Sequence, residues 1–201
     1  MSEYQFTKDW FNWAPAVWEQ LIPHLPERTE DGRYFIEIGS FEGRSAVWIA
    51  ENMMQDGDYL TCIDTWEGGE EHGAEDMGTV EERFDHNVAV LEGKYPERSV
   101  SKYKGTSVER LAEILGGGTE DADFIYIDGS HIAKDVLTDA CMAWPLLKPK
   151  GLMVFDDYMW GNPRDILHRP KPAIDAFCNL FAEEAEIVHV GYQLVVRKKG
   201  E

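Results

Sequence analysis

Residues 34–50, YFIEIGSFEGRSAVWIA, decide the fold, because a short apolar run ends in a glycine-containing loop that leads directly into an amphipathic segment. The apolar run has the length of a buried strand, and the glycines stand where a backbone turns tightly and approaches a ligand. The spacing is GxxxG rather than GxGxxG, and Glu37 precedes the first glycine by two positions. Because a carboxylate at that place suits an ammonium group better than a diphosphate, the loop predicts a zwitterionic nucleoside as ligand.

The same pattern of an apolar run followed by an amphipathic segment recurs along the chain. Further strands are predicted at YLTCID, VSKYKG, DFIYID and GLMVF, with helices between them. Such alternation is typical of a parallel sheet in a doubly wound α/β layout. The late runs EIVHV and YQLVVRKK, with only Gly191 between them, predict an antiparallel pair at the sheet edge. We expect one domain over residues 1–201, since this length suits a single hydrophobic core.

The composition is that of a folded protein with a strongly acidic surface. Hydrophobic residues make up 43% of the chain, and 38 acidic residues against 19 basic ones give a formal charge of −19. This charge disfavours nucleic acid and anionic membranes as partners, because both bind clustered lysine and arginine. With no leader pattern and no long apolar run, a cytoplasmic protein is expected. Cys62, Cys141 and Cys178 form no CxxC pair, so neither a disulfide framework nor a zinc site is predicted, and small buried thiols are expected.

Two segments stand apart from the alternating pattern. Residues 1–30 contain Trp10, Trp13 and Trp18 among several prolines and predict a short helical cap. The cap could cover the core, the active site or a second subunit, and the last arrangement would make the protein a homo-oligomer. Residues 67–87 carry eight acids and a single arginine, so they form either a solvated surface or a lid-like insertion beside a strand end.

Acidic side chains follow three of the predicted strands. Asp64 ends the second strand 25 positions after Gly39, where a carboxylate can accept hydrogen bonds from both hydroxyls of a ribose. Asp128, Asp156 and Asp157 follow two strands that we expect to be neighbours, about 4.8 Å apart, so their carboxylates should converge. Three carboxylates in one place repel one another unless a cation lies between them, and oxygen ligands favour Mg²⁺ or Mn²⁺.

A histidine follows the first of these acids within the stretch FIYIDGSH at 124–131. His131 comes three positions after Asp128 and can therefore face the same pocket. A histidine ordinarily titrates near neutral pH, which suits a general base. The alternative is a turn histidine that bonds only to the backbone.

Taken together, FIEIGSFEGRSAVWIA, LTCIDTW, KGTS, FIYIDGSH and VFDDY resemble the class I S-adenosylmethionine (SAM)-dependent methyltransferases. The chain is most similar to the small-molecule O-methyltransferases of the macrocin and cephalosporin-biosynthesis type, over residues 33–197. The resemblance implies a Rossmann-like sheet of seven strands that is mostly parallel, with an antiparallel C-terminal strand. It also implies SAM as cofactor and Mg²⁺ or Mn²⁺ as metal.

The resemblance assigns roles to particular residues. The methionine end of SAM would lie at Glu37, Gly39 and Gly43, the ribose at Asp64, and the adenine at Thr106 and Ser107 with Trp66 stacked on it. Alternatively, Gly43 only begins a helix, Ser107 is a helix N-cap, and Trp66 anchors the lid. The same family pattern places the base at His131 and the metal at Asp128, Asp156 and Asp157, although some relatives carry Glu where this chain has Asp156, which could leave that residue structural. The remaining cofactor residues implied are Ser40, Ser45, Thr65 and Asp128.

The sequence thus predicts metal-assisted O-methylation of a small-molecule hydroxyl. A sugar, another vicinal diol or a catechol-like acceptor is favoured, because two adjacent oxygens can chelate Mg²⁺. Candidate substrate residues in the loop after the fifth strand are Tyr158, Trp160, Arg164 and His168. Two other functions stay open, namely a non-catalytic SAM-binding interaction protein and an NAD-dependent oxidoreductase. The GxxxG loop with Glu37 argues against the latter.

Overall fold

The computed structural model describes residues 3–69, 72, 76–118, 122–161 and 165–200. Its single sheet has the strand order β3-β2-β1-β4-β5-β7-β6. Strands β1 to β5 pair in parallel, whereas β7 is antiparallel to both β5 and β6. The predicted Rossmann-like sheet with an antiparallel C-terminal pair is therefore confirmed. The strands are β1 (Tyr34–Ile38), β2 (Tyr59–Asp64), β3 (Ser99–Lys104), β4 (Ala122–Ile127), β5 (Leu147–Phe155), β6 (Ala185–Val190) and β7 (Leu194–Lys198).

The helices of the described part of the chain cover both faces of this sheet. Helices α1 to α3 pack on one face, and α4 to α6 pack on the other. This is the doubly wound layout that the alternating pattern predicts. The helices are α1 (Pro15–Leu21), α2 (Arg44–Asn52), α3 (Val80–Lys94), α4 (Ser107–Gly116), α5 (Ala133–Ala143) and α6 (Lys171–Leu180).

The two hydrophobic clusters arise from alternation along the central strands. In β4, Phe124 and Tyr126 point to the face of α1 to α3, whereas Ile125 and Ile127 point to the face of α4 to α6. Successive side chains of a strand point to opposite faces, so a strand that is covered on both sides reads as one continuous apolar run. All six residues of β4 are buried. The first half of FIYIDGSH is therefore core, and its polar half lies at the carboxyl end of the sheet.

The N-terminal cap is less helical than predicted. Within residues 3–30 it contains only α1 and a 3₁₀ turn at Ile22–His24. Trp18 is fully buried, and its ring meets the edge of Tyr126 at 4.8 Å between centroids. The cap therefore covers the core, and residues just before α1 also reach the active-site cavity described below.

The acidic stretch 67–87 is only partly an insertion. From Val80 onward it belongs to α3, where Glu81 pairs with Lys102 at 2.8 Å and with Lys104 at 2.6 Å. Asp85 also pairs with Lys102, at 2.6 Å. These ion pairs fix the second half of the stretch on β3, because the lysines alternate along that strand. Residues 70, 71 and 73–75 lie outside the described residues, so the lid remains a prediction for the first half.

Two other expectations concern the chain as a whole. No helix of the described residues has both the length and the apolar composition required to cross a bilayer. The three cysteines are free, as predicted, but only Cys62 is buried and Cys141 is exposed. The expectation of three buried thiols therefore holds only for Cys62, because Cys178 on α6 is partly exposed and Cys141 on α5 is exposed.

Candidate active site

A cavity of about 580 Å³ opens at the carboxyl ends of the parallel strands. The strand order reverses between β1 and β4, and such a switch point is where ligands bind in open α/β sheets. The volume lies within the usual range of small-molecule sites. Of the residues predicted from the sequence, the cavity is lined by Gly39, Ser40, Ser45, Asp64, Thr65, Asp128, His131, Asp156, Asp157 and Trp160.

The loop after β1 is shaped by backbone conformations that few residues adopt. Gly39 has a φ of +87°, and a Cβ at this position would lie 2.1 Å from the carbonyl oxygen of Asp128. The loops after β1 and β4 can therefore approach this closely only with glycine here. Phe41 and Asp157 are left-handed without being glycine, with φ values of 47° and 54°. Both line the cavity, and such strained residues concentrate at functional sites.

Asp64 holds this loop together. Its Oδ2 accepts hydrogen bonds from the backbone N–H groups of Ser40 and Phe41, both at 2.8 Å, and its Oδ1 accepts one from Trp66 at 2.7 Å. A carboxylate offers about four lone-pair directions, so roughly one is left for a ligand. The predicted ribose acceptor therefore lies in the cavity but also organises two loops around it.

Glu37 lies beneath the cavity rather than in its lining. It is fully buried, and its Oε2 accepts a hydrogen bond of 2.6 Å from the hydroxyl of Ser40. Its other oxygen, Oε1, has no hydrogen-bond partner within the described structure. Burial raises the pKa of Glu37 to about 7, against the lowering effect of the Ser40 hydrogen bond. Glu37 thus supports Ser40, which itself faces the cavity, and its predicted contact with a cofactor stays a prediction.

On the opposite side of the cavity, Asp128, His131 and Asp157 come together. One ligand atom of each lies within 4.8 Å of the others. Nε2 of His131 is 2.5 Å from Oδ2 of Asp157, and the imidazole ring packs on Trp160 with centroids 4.1 Å apart. Desolvation of its carboxyl group, followed by the charges of Asp156 and Asp157, raises the pKa of Asp128.

Asp156 differs from the two other acids. Its Oδ1 accepts the backbone N–H of Asp157 at 2.7 Å, and its Oδ2 accepts from Gln193 at 3.2 Å and from the hydroxyl of Tyr126. Burial and the charge of Asp157 raise the pKa of Asp156 to about 6. Asp156, which was predicted to bind the metal, therefore directs its oxygens toward buried donors. His131 lies beside the carboxylates of Asp128 and Asp157 instead.

Comparison with known families gives the decisive assignment. A family model described as a methyltransferase domain matches residues 36–158, which include the loop after β1 and all three clustered residues. The chain belongs to this methyltransferase family. The predicted resemblance is thereby confirmed, whereas a comparison with curated proteins gave no match.

Solved structures support the fold of this methyltransferase. The O-methyltransferase from Bacillus cereus in complex with S-adenosylhomocysteine (SAH) has 18% identity and a TM-score of 0.62, covering 98% of this chain and 84% of that one. TomG from Streptomyces achromogenes, involved in tomaymycin synthesis and in complex with SAM, has 21% identity and a TM-score of 0.66, covering 92% and 81%. MycE from the mycinamycin pathway, in complex with Mg, SAH and mycinamycin VI, has 15% identity and a TM-score of 0.57. This chain aligns in full with MycE but spans only 51% of it.

Two residues of the predicted cofactor set in the methyltransferase prove to be packed against Phe84. Gly43 starts α2 with a φ of +77°, and a Cβ there would lie 3.0 Å from the Phe84 ring. Trp66 is 4% exposed, its ring lies tilted against Phe84 with centroids 4.8 Å apart, and its indole N–H donates to the carbonyl oxygen of Phe41. Neither residue lines the cavity. These contacts fit the alternatives of a helix start for Gly43 and a lid anchor for Trp66.

The predicted adenine residues also lie outside the cavity lining. Thr106, not Ser107, is the N-cap of α4 and forms a capping box with Glu109. The hydroxyl of Ser107 instead donates to Oδ1 of Asp139 at 2.5 Å. Their sequence signal was that of a helix start, which the capping box satisfies without a ligand.

The predicted substrate residues separate into three groups. Trp160 lines the cavity, whereas Tyr158 is buried and donates its hydroxyl to Asp175 at 2.8 Å. His168 is exposed near Asp165 and does not line the cavity. Arg164 lies outside the described residues. The hydroxyl of Tyr158 points away from the cavity, since Asp175 on α6 accepts its hydrogen bond.

Sequence reasoning missed the aromatic wall of the methyltransferase cavity. On the side of β1 and β2, Trp10, Phe41 and His72 lie within 5.0 to 5.9 Å of one another between ring centroids. On the side of β4 and β5, Trp13 meets the edge of Tyr192 at 4.7 Å. The tryptophans were recognised as a cap, but no local pattern shows that a single segment contributes to both halves of the cavity.

Proposed function

We propose that this protein transfers the methyl group of SAM to a hydroxyl oxygen of a small molecule, with the help of a divalent cation. One observation carries the proposal. The carboxylates of Asp128 and Asp157 and the imidazole of His131 meet in the same cavity as the loops after β1 and β2. Relatives of the same fold that are named O-methyltransferases, with SAM or SAH bound, support SAM as the methyl donor.

The donor half of the cavity fits a zwitterionic nucleoside. Ser40, Ser45, Asp64 and Thr65 offer hydroxyl and carboxylate oxygens to its hydroxyl and ammonium groups. The orphaned Oε1 of Glu37 beneath Ser40 adds a buried acceptor that a cationic ligand would stabilise. These residues would bind and orient the donor, while Trp10 and Phe41 exclude water from the outer side.

The acceptor half fits a hard divalent cation. Asp128 and Asp157 present carboxylate oxygens, and their mutual repulsion is relieved when a positive charge lies between them. The bound Mg of MycE supports this choice of ion. When bound, the cation would supply Lewis acidity that lowers the pKa of the acceptor hydroxyl.

His131 is assigned the role of general base. Asp157 accepts the Nε2–H of His131 and Trp160 fixes the plane of its ring, so the neutral imidazole has its lone pair on Nδ1, which lacks a hydrogen-bond partner within the described structure. The acceptor's hydroxyl proton would pass to Nδ1, and the oxygen would bond to the methyl carbon as the carbon–sulfur bond of SAM breaks. The products are the methyl ether and SAH, and the atoms and charges balance with the proton on His131.

The acceptor is proposed to be a neutral or cationic molecule with a flat face and two adjacent hydroxyls. Three acids beside the transfer site repel anionic acceptors. Trp13, Trp160 and Tyr192 provide aromatic surfaces for a sugar, another vicinal diol or a catechol-like ring. The net charge of −19 supports a small molecule rather than nucleic acid or lipid as partner.

Two alternatives predict different binding results. A non-catalytic SAM-binding interaction protein would bind SAM but transfer no methyl group to any acceptor of a broad panel. An NAD-dependent oxidoreductase would bind NADH more tightly than SAM, which the match to a methyltransferase family argues against. Calorimetric titration of SAM, SAH and NADH separates these cases before any acceptor is known.

The decisive experiment is methyl transfer from labelled SAM to a panel of vicinal diols, sugars, catechols and mono-hydroxy controls, with and without EDTA. We expect transfer to vicinal diols that stops with EDTA and returns with Mg²⁺. Asp128→Asn should reduce transfer by at least tenfold. Turnover that is insensitive to EDTA, together with a fully active Asp128→Asn variant, would refute the cation part and leave the methyltransferase assignment standing.

A further inference from the structure

A buried chain of hydrogen bonds connects the N-terminal helix with the acids of the cavity. Nε1 of Trp18 on α1 donates to Oε1 of Gln193 at 2.7 Å, and Nε2 of Gln193 donates to Oδ2 of Asp156 at 3.2 Å. The hydroxyl of Tyr126 contacts the same oxygen of Asp156 and lies 2.9 Å from Oδ2 of Asp128. These hydrogen bonds therefore connect the cap with two carboxylates at the strand ends. Two of the side chains involved, Trp18 and Gln193, are 175 positions apart in the sequence.

The chemistry of each member determines its orientation. An indole can only donate and a carboxylate can only accept, so a side chain between them must accept at one end and donate at the other. The amide of Gln193 does both. Trp18 and Gln193 are fully buried and Tyr126 is 1% exposed, so water does not replace these partners. A satisfied network in such a place has one low-energy arrangement.

The strand register explains why Tyr126 reaches both acids. Tyr126 and Asp128 are two residues apart at the end of β4, so their side chains share one face of the sheet. On the neighbouring strand, Val154 is the register partner of Tyr126, and Asp156 follows it by two residues on the same face. The phenol thus lies between two carboxylates, donates its one proton to either of them and keeps the other at a short distance.

We propose that Tyr126 and Gln193 are positioning residues of the cation site and that they couple its acids to the N-terminal helix through Trp18. The proposal rests on the cation part of the proposed function. The hydroxyl of Tyr126 lies 2.9 Å from Asp128, one of the two acids that would bind the cation, and so limits where its carboxylate can lie. Gln193 holds Asp156, which accepts the backbone N–H of Asp157, the other acid.

The coupling has a consequence for the cap. The segment that ends in Trp18 also contributes Trp10 and Trp13 to the cavity lining. The position of this segment over the cavity and the orientation of the acids therefore share the same buried contacts.

The test measures Mn²⁺ binding by the decrease of the free-ion electron paramagnetic resonance signal, without acceptor or SAM. The variants are Tyr126→Phe, which removes only the hydroxyl, and Gln193→Met, which keeps the side-chain volume but removes both hydrogen-bonding groups. Loss of an outer-sphere partner commonly weakens metal binding by roughly 10- to 100-fold, and we expect this range for both variants. SAH affinity, measured by calorimetry, should stay within about threefold of the wild type, since a buried polar change away from the donor loops leaves them intact.

A matched control is available on the adjacent strand. Tyr34 is also buried, and its hydroxyl donates to Oγ1 of Thr61 at 3.1 Å, at the other end of β1. Tyr34→Phe should therefore leave Mn²⁺ affinity unchanged, although it removes a buried tyrosine hydroxyl of the same kind.

Each outcome decides a separate point. Absence of Mn²⁺ binding by the wild type would refute the cation part of the proposed function itself. Mn²⁺ binding by the wild type that Tyr126→Phe and Gln193→Met leave unchanged would overturn the positioning proposal alone. An equal loss of Mn²⁺ and SAH affinity in both variants would also overturn it, because the two residues would then serve the packing of the whole cavity.

Discussion

Nε2 of His131 lies 2.5 Å from Oδ2 of Asp157, and this contact joins the loops after β4 and β5. The two residues are 26 positions apart. A histidine in this place can act as a base for the acceptor hydroxyl or as a third ligand of the cation. The proposed mechanism commits it to the first role, and the two roles have different experimental signatures.

Replacement of His131 by alanine should abolish most of the turnover and leave the cation bound. Loss of a general base typically reduces the rate by about 10²- to 10⁴-fold. Turnover and Mn²⁺ affinity are measured together. A loss of more than tenfold in Mn²⁺ affinity would make His131 a ligand, and His168→Ala serves as the exposed control.

Asp64→Asn should damage both the donor site and the fold of its loops. The asparagine has one acceptor oxygen for three backbone N–H groups, so at least one buried donor loses its partner. An unsatisfied group of this kind costs roughly 1–3 kcal/mol. We expect SAH binding at least tenfold weaker and a lower midpoint of thermal unfolding. A variant with wild-type SAH affinity and stability would contradict the role of Asp64 as organiser of these loops.

The strand ends were predictable because parallel strands bring their carboxyl ends to one edge of the sheet. That rule alone brings Asp64, Asp128 and Asp157 to a common cavity. The alternation of side chains along a strand also places Tyr126 on the same face as Asp128, a relationship that FIYIDGSH contains but that was not recognised from the sequence. The sequence can therefore predict which residues approach the site wherever strand periodicity determines their direction.

Other placements depend on contacts that no local pattern encodes. Trp66 turns away from the cavity because its φ of 57° directs the ring toward Phe84. Gln5 exchanges two hydrogen bonds with the buried amide of Asn87, 82 positions away. Such pairs arise only when the whole chain is packed, so the route of the N-terminal segment over the cavity could not be derived from its composition.

Trp160 and Tyr158 should respond differently to substitution, although both were predicted to contact the substrate. Trp160→Ala removes a cavity wall and the ring beside His131, so a rise in the acceptor KM and a lower kcat are expected. Tyr158→Phe removes a hydroxyl that contacts Asp175 and Lys171 behind the cavity, so only stability should change. Steady-state kinetics with any acceptor that the panel identifies measures both. A raised acceptor KM in Tyr158→Phe would instead support the predicted contact of Tyr158 with the substrate.

Asp139 gives stability a pH dependence of defined sign. Burial raises its pKa to about 6, while the hydrogen bond from Ser107 opposes the change. In the unfolded chain an aspartate has a pKa of about 3.9, so the folded state binds the proton more tightly. This contribution is fully present below about pH 4 and is lost as the pH rises through about 6. Stability should therefore decrease over that interval and then level off.

The variant Asp139→Asn removes this dependence because its side chain is neutral at every pH. A gap of about two pH units corresponds to about 3 kcal/mol, so we expect a gain of roughly 1–3 kcal/mol at pH 8 and none at pH 4. Urea unfolding at both pH values measures it. The exposed Glu183→Gln is the control, and a variant that is less stable than the wild type at pH 8 would contradict the predicted sign.

Glu42 should hold the N-terminal segment, residues 4–13, in place over the cavity. Its buried carboxylate accepts the backbone N–H of Thr7 at 2.6 Å, the Thr7 hydroxyl at 2.7 Å and Nε of Arg83 at 2.5 Å. Glu42→Gln has too few acceptors for these donors and leaves Arg83 without its charged partner. Breaking a fully buried ion pair lowers the free energy of unfolding by several kcal/mol. A loss of roughly 1–3 kcal/mol is expected here because Arg83 is partly accessible.

Amide hydrogen exchange of residues 4–13, followed by mass spectrometry, measures how firmly this segment is held. Faster exchange confined to this segment and weaker SAH binding are expected for Glu42→Gln, since Trp10 and Phe11 line the cavity. Glu51→Gln is the matched control, because Glu51 holds Tyr4 of the same segment at 2.9 Å but at a more accessible place. Its effect should stay within about 0.5 kcal/mol. Equal exchange in the two variants would show that burial of Glu42 gives it no special hold on the segment, and the cap would then be retained by its aromatic contacts alone.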